Sequence, residues 1–115
     1  MAYTNLAYLH NITGGDPQTI REIIDLFIEQ VPEFITNLNN HLNENNFIEL
    51  GKEAHKAKSS VMIMGMDDLG HDLKSLQIAT INKTKEDTYA EHVSRFEVQC
   101  QIAVEELKLE LLKLK

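Results

Sequence analysis

The sequence has little of what marks secreted or membrane-bound proteins. Its 115 residues include one cysteine, two prolines, five glycines and no tryptophan. A lone Cys100 excludes a disulfide within the chain, which favours a reducing compartment. No stretch approaches the roughly 20 consecutive apolar residues that a membrane-spanning helix needs, and the first residues lack the basic and apolar segments of a signal peptide. We therefore expect a soluble, cytoplasmic protein that does not bind membranes.

Basic residues are also scarce. The chain has 11 lysines and arginines against 18 acidic residues, which gives a net charge of -7. This charge repels nucleic acids and anionic membrane surfaces, so nucleic acid is not an expected partner. The length suits one domain that buries a core without a disulfide or a structural metal. We expect a single domain over residues 1–115, acting as a monomer, and the short termini suggest a free-standing protein.

Helical patterns cover the chain, and strand patterns are absent. Apolar residues recur at steps of three and four, which is typical of amphipathic helices. Asp16 can cap a helix that starts at Pro17, Asn46 and Glu49 resemble a capping box, and Gly65 can end a helix. The predicted helices span about residues 4–11, 17–43, 47–64, 67–81 and 85–113. They predict an all-α fold, an antiparallel up-down four-helix bundle with a short additional N-terminal helix.

His55 lies beside the apolar stripe of the third predicted helix and not within it. Residues three and four positions away share its face, and they are Gly51, Lys52, Lys58 and Ser59, with Met62 one turn further on. A glycine costs a helix roughly 1 kcal/mol relative to alanine, and open access to His55 is one reason to tolerate that cost. We predict that a partner docks on Gly51, Lys52, Ser59 and Met62.

Gln77 is predicted to face His55 from the fourth helix. Both residues lie 11 positions from Met66, the centre of the turn between the two helices. If the helices are antiparallel, both therefore lie about 16 Å below the turn, at 1.5 Å per residue. A hydrogen bond from the glutamine to one ring nitrogen would fix the tautomer and leave the other nitrogen as a nucleophile.

These residues together suit phosphoryl transfer. A neutral imidazole can accept a phosphoryl group, and nearby ammonium groups offset the charge on its oxygens. We assign His55 as the phosphoryl-accepting nucleophile, Lys58 to phosphoryl stabilisation and Gln77 to imidazole orientation. Plainer interpretations are a surface histidine, a solvated lysine and a solvent-facing glutamine.

The chain has no phosphate-binding loop of the form G-x-x-x-x-G-K-[ST] and no kinase-type glycine loop. We therefore expect a phosphoryl carrier and not a kinase. We also expect no cofactor and no metal site in this chain, so a phosphoryl donor has to bring its own metal ion and catalytic groups.

The segment around His55 resembles the histidine-containing phosphotransfer (HPt) domain, whose signature is A-H-x-[LIA]-K-G-S followed by a glycine ten residues after the histidine and by a leucine-rich helix. The matching residues are Ala54, His55, Lys58, Ser60, Gly65, Leu69, Leu73 and Gln77. Ser59 stands where the family usually has a glycine. The resemblance extends over essentially the full chain and implies a four-helix bundle.

The resemblance also implies partners. The histidine would receive a phosphoryl group from an aspartyl phosphate in the receiver domain of a hybrid histidine kinase. It would pass that group to the receiver domain of a response regulator, and the receiver would supply Mg²⁺. The alternative is a non-phosphorylated docking module that binds receiver domains through the same face.

Overall fold

The fold is a bundle of helices. A computed structural model describes residues 2–114, and the regular secondary structure among them is entirely helical. The helices are α1 (Ala7–Thr13), α2 (Pro17–Asn43), α3 (Phe47–Ile63), α4 (Asp67–Asn82) and α5 (Tyr89–Lys113), with a single 3-10 turn at Glu86–Thr88 before α5. Each long helix packs on the next, and α2 also packs on α5, which closes the bundle. The predicted four-helix bundle with a short N-terminal helix is confirmed.

One apolar core runs along the bundle axis. It consists of the buried stripes of the four long helices, including Ile24, Leu38, Val61, Leu73 and Phe96. Phe34 of α2 and Phe96 of α5 meet edge to face with ring centroids 6.3 Å apart. Each fully buried side chain of this size contributes about 1.5–3 kcal/mol. Among the described residues, no helix is both long enough and apolar enough to cross a bilayer.

The start of α2 follows the sequence signals. Asp16 accepts a hydrogen bond from the Thr19 amide at 3.0 Å, and Pro17 occupies the first turn. Hydrogen bonds from the Thr19 hydroxyl and amide lower the pKa of the Asp16 carboxyl. The helix continues through Pro32 to Asn43. It therefore extends along the bundle and packs against α3.

The first helix was predicted over residues 4–11, but it begins at Ala7. Residues 3–5, which we call the N-terminal strap, donate their backbone amides to groups outside α1. The Tyr3 and Thr4 amides donate to the Glu106 carboxylate at 2.9 and 3.0 Å, and the Asn5 amide donates to Met64 O at 2.9 Å. The strap crosses the end of the bundle and joins α5 to the turn between α3 and α4. These long-range bonds replace the first helical turn.

Helix α3 begins at Phe47 as predicted, but the predicted capping box is wrong. Asn46 precedes α3 but forms no side-chain cap, and Glu49 pairs with Lys52 at 3.1 Å, so the predicted capping box is not formed. Helices α3 and α4 end one residue from their predicted ends, at Ile63 and Asn82.

The last helix begins at Tyr89 and not at residue 85. Lys83 and Lys85 both adopt positive φ, 57° and 56°, which prevents a continuous helix across this loop. The buried Tyr89 hydroxyl lies 2.8 Å from Thr84 O and 3.0 Å from Ala79 O. It ties the loop between α4 and α5 to the end of α4.

Candidate functional site

His55 lies in the middle of α3 with its side chain exposed. Its neighbours Ala54 and Ala57 are fully buried, so the backbone is anchored in the core while the imidazole faces outward. The ring is therefore held on a rigid helix and remains reachable from solvent.

Gln77 of α4 binds the ring. Nδ1 of His55 lies 3.2 Å from Oε1 of Gln77. A carbonyl oxygen can only accept a hydrogen bond, so this contact favours the tautomer with the proton on Nδ1. Nε2 then keeps its lone pair, and it has no hydrogen-bond partner within residues 2–114. The two residues meet at the same height, as their equal distance from the turn at Met66 predicted.

Gly65 makes the turn that produces this register. It adopts a φ of +74° directly after α3, a conformation that residues with a side chain rarely adopt. A Cβ at this position would also overlap with the carbonyl group of Asn5 in the N-terminal strap. The glycine is therefore required by both the backbone conformation and the strap.

Lys58 is half-buried one turn after His55, where the helix face predicts it. No acidic side chain within residues 2–114 pairs with its ammonium group, whereas Lys52 is bound to Glu49. A groove of about 660 Å³ between α1 and α3 is lined by Lys58, Ser59, Met62 and Tyr8, among others. Sequence reasoning missed Tyr8, because only the strap places α1 beside α3.

A second groove lies on the other side of His55. It encloses about 400 Å³ between α3 and α4 and is lined by Ile48, Ile81, Lys52, His55 and Gln77, among others. Ile48 and Ile81 are 66% and 68% exposed, so this groove has an apolar rim. Ile48 precedes His55 by seven positions and shares its helix face. The predicted docking face extends two turns beyond His55, to Met62, but only one turn before it, and so it omits Ile48.

The four predicted docking residues have different environments. Ser59 and Lys52 are exposed, and Met62 is half-buried because its thioether occupies the space above Gly70. Gly51 is buried, and a Cβ there would overlap with the hydroxyl of Thr80. Gly51 also lines the groove beside His55, so its part in docking stays a prediction. The contact with Thr80 gives a reason for the glycine other than open access to His55. This glycine permits the close approach of α4.

Two polar groups outside the site escaped sequence reasoning. Glu53 is buried on the opposite face of α3 and accepts a hydrogen bond from Asn37 Nδ2 at 3.2 Å. Asp72 of α4 binds Arg95 at 2.9 Å and His92 at 3.1 Å, which joins α4 to α5. Within residues 2–114, no three histidine, cysteine, aspartate or glutamate side chains converge in a way that could hold a metal ion.

The chain matches a known protein family. The family model described as the Hpt domain matches residues 22–113. No curated protein and no solved structure gives a significant match to the chain. The matched range begins within α2 and extends to the end of α5, so it covers the four-helix bundle and includes His55, Lys58 and Gln77.

Proposed function

The chain belongs to the Hpt domain family, whose members act in two-component phosphorelays, and we propose that it carries a phosphoryl group on His55 between two receiver domains. The donor is an aspartyl phosphate in the receiver domain of a hybrid histidine kinase. The acceptor is the aspartate of a response regulator's receiver domain. The observation that carries this proposal is the exposed His55 ring, held at Nδ1 by Gln77 with Nε2 free.

The nucleophile in the transfer step is the lone pair of His55 Nε2. This lone pair attacks the phosphorus of the aspartyl phosphate, a nitrogen–phosphorus bond forms, and the bond between phosphorus and the carboxylate oxygen breaks with its electron pair leaving on the carboxylate. The imidazole ring becomes cationic while Nδ1 keeps its proton. The hydrogen bond from Nδ1 to Gln77 Oε1 strengthens as that charge develops, because charge-assisted hydrogen bonds are about twice as strong as neutral ones. Transfer to the second receiver is the reverse of this step.

Lys58 supports the transferred group electrostatically. Its ammonium group lies one turn from His55 and is not neutralised by an acidic side chain within the described part of the chain. A positive charge near the phosphoryl oxygens stabilises them as they pass between nitrogen and oxygen.

The remaining catalytic groups belong to the partner. Within residues 2–114, no cluster of histidine, cysteine, aspartate or glutamate side chains could hold a metal ion. In this proposal the receiver domain brings Mg²⁺ and the reacting aspartate. The chain acts in the cytoplasm as a monomeric carrier, and the two grooves beside His55 accommodate the receiver surface.

The experiment is a transfer assay with a phosphorylated receiver domain. The protein and His55→Gln are each incubated with a receiver carrying labelled phosphate, and the product is treated with acid. Acid-labile label is expected on the protein and not on His55→Gln, because phosphohistidine is acid-labile and the substitution removes the nucleophile. His71→Gln is the matched control, since His71 is also exposed on a helix but has no orienting glutamine.

Two results would count against the carrier proposal. Acid-stable label would place the phosphoryl group on another residue type. Receiver binding without any transfer would favour the docking-module alternative. Thermal melts of both variants test whether the substitutions affect folding. The melting temperatures should stay close to that of the unsubstituted protein, because surface substitutions usually change stability by within about 0.5 kcal/mol.

A further inference from the structure

Close contacts between α3 and α4 lie on both sides of the His55–Gln77 pair. On one side, Gly51 of α3 lies against Thr80 of α4, with no room for a Cβ. On the other side, Gly70 of α4 lies against the thioether of Met62. Each of the two helices therefore has one glycine against which a larger side chain of the other helix packs.

The contact between Gly51 and Thr80 is nearer to the imidazole. Gly51 precedes His55 by four residues, which is roughly 6 Å along the helix axis. Thr80 follows Gln77 by three residues, and its hydroxyl donates to the Gln77 carbonyl oxygen at 2.7 Å. Thr80 is only 4% exposed, so its side chain has little freedom to turn away. The residue that touches Gly51 is thus bound to the residue that orients His55.

We propose that Gly51 and Thr80 are positioning residues for His55, because their contact sets the distance between α3 and α4 at which Gln77 reaches the ring. The distance from Nδ1 to Oε1 is 3.2 Å. Hydrogen bonds of this type span about 2.7–3.2 Å, so the bond is already at its upper limit. A separation of the helices by a few tenths of an ångström would lengthen it beyond this range.

Gly51→Ala would force such a separation. The new Cβ would overlap with the Thr80 hydroxyl and lie 3.2 Å from the Thr80 Cβ. Alanine is also the better helix former, so a lost hydrogen bond could not be attributed to a weaker α3. The consequence for phosphoryl transfer rests on the proposed function of His55, but the hydrogen bond itself can be observed without any transfer.

The test is nitrogen-15 NMR of the His55 ring at a pH where the ring is neutral. The unsubstituted protein should carry the proton mainly on Nδ1. Gly51→Ala should shift the population towards the Nε2-protonated tautomer. The double variant Gly51→Ala/Thr80→Gly should restore the original pattern, because both the hydroxyl and the Cβ that obstruct the added methyl group are gone. Leu107→Ala removes a fully buried side chain of α5 and controls for lowered stability, so its His55 tautomer should not change.

An unchanged His55 tautomer in Gly51→Ala, or a double variant that does not restore it, would overturn the inference. If Gly51→Ala does not fold, Thr80→Ile enlarges the same contact from α4 and is judged by the same tautomer shift. Phosphorylation of each variant by a phosphorylated receiver domain is measured separately. If the variants show the predicted tautomers but the unsubstituted protein accepts no phosphoryl group, the positioning role stands and the proposed function is refuted.

Discussion

Gly65→Ala should destabilise the protein more than any other exchange of a turn glycine for alanine, because two effects coincide at this position. Gly65 has a φ of +74°, and a Cβ would overlap with the backbone of Asn5. The backbone of Asn5 cannot rotate aside as a side chain could. Its amide is bound to Met64 O at 2.9 Å, so displacing Asn5 also breaks that bond.

The magnitude follows from these two effects. A non-glycine residue in the left-handed region costs about 1–2 kcal/mol, and a lost backbone hydrogen bond costs about 0.5–1.5 kcal/mol. The expected loss in the free energy of unfolding is therefore about 1.5–3.5 kcal/mol. The same substitution at Gly14 is the matched control, because Gly14 has a φ of +64° but nothing within 4 Å of the added Cβ. Gly14→Ala should show the backbone cost alone.

Urea unfolding followed by circular dichroism measures both variants against the unsubstituted protein. Gly65→Ala should exceed Gly14→Ala by about 1 kcal/mol, the size of one hydrogen bond. Equal losses for the two variants would refute the reasoning, because the contact with Asn5 would then contribute nothing.

Substitutions at three further positions test other parts of the structure. Tyr89→Phe should lower the free energy of unfolding by about 0.5–1.5 kcal/mol, since it removes the buried hydroxyl that donates a hydrogen bond to the carbonyl oxygen of Thr84 or Ala79; an unchanged urea midpoint would contradict this. Burial raises the pKa of Glu106, but hydrogen bonds from the strap residues Tyr3 and Thr4 outweigh it and lower the pKa overall. The stability from this carboxylate is therefore present above its unfolded pKa of about 4.3 and is lost as pH falls through the lower folded value. Glu106→Gln should reduce the fall in the free energy of unfolding at acid pH. An unchanged pH dependence would contradict the strap's role. Lys58→Ala should slow transfer, more so at low salt, and Lys58→Arg should retain part of the rate; equal rates at two salt concentrations would reduce Lys58 to a solvated lysine.

The bundle and the pairing of His55 with Gln77 could be predicted because both depend on regular helices. Apolar periodicity identifies the buried faces, and a uniform rise per residue converts equal distances from Met66 into equal heights. The helix start at Asp16 and Pro17 was also predictable, because capping is a local interaction.

Other features depend on contacts that a local pattern does not contain. The strap binds Glu106 across about 100 positions of sequence, so the true start of α1 left no local signal. The positive φ values of Lys83 and Lys85 occur at residues that rarely adopt them, which hid the start of α5. A glycine is needed at position 51 because Thr80 of α4 packs against it. The spacing of residues within α3 contains no information about α4, so it suggested only that Gly51 leaves His55 accessible.

The central claim is that Nε2 of His55 carries the phosphoryl group while Gln77 holds Nδ1. The most direct measurement is NMR of the phosphorylated protein that correlates phosphorus-31 with the nitrogen-15 nuclei of the histidine rings. A phosphorus–nitrogen coupling to Nε2 of His55, with the proton retained on Nδ1, is the predicted result. A phosphoryl group on Nδ1 of His55, on another histidine or on a carboxylate would contradict the claim.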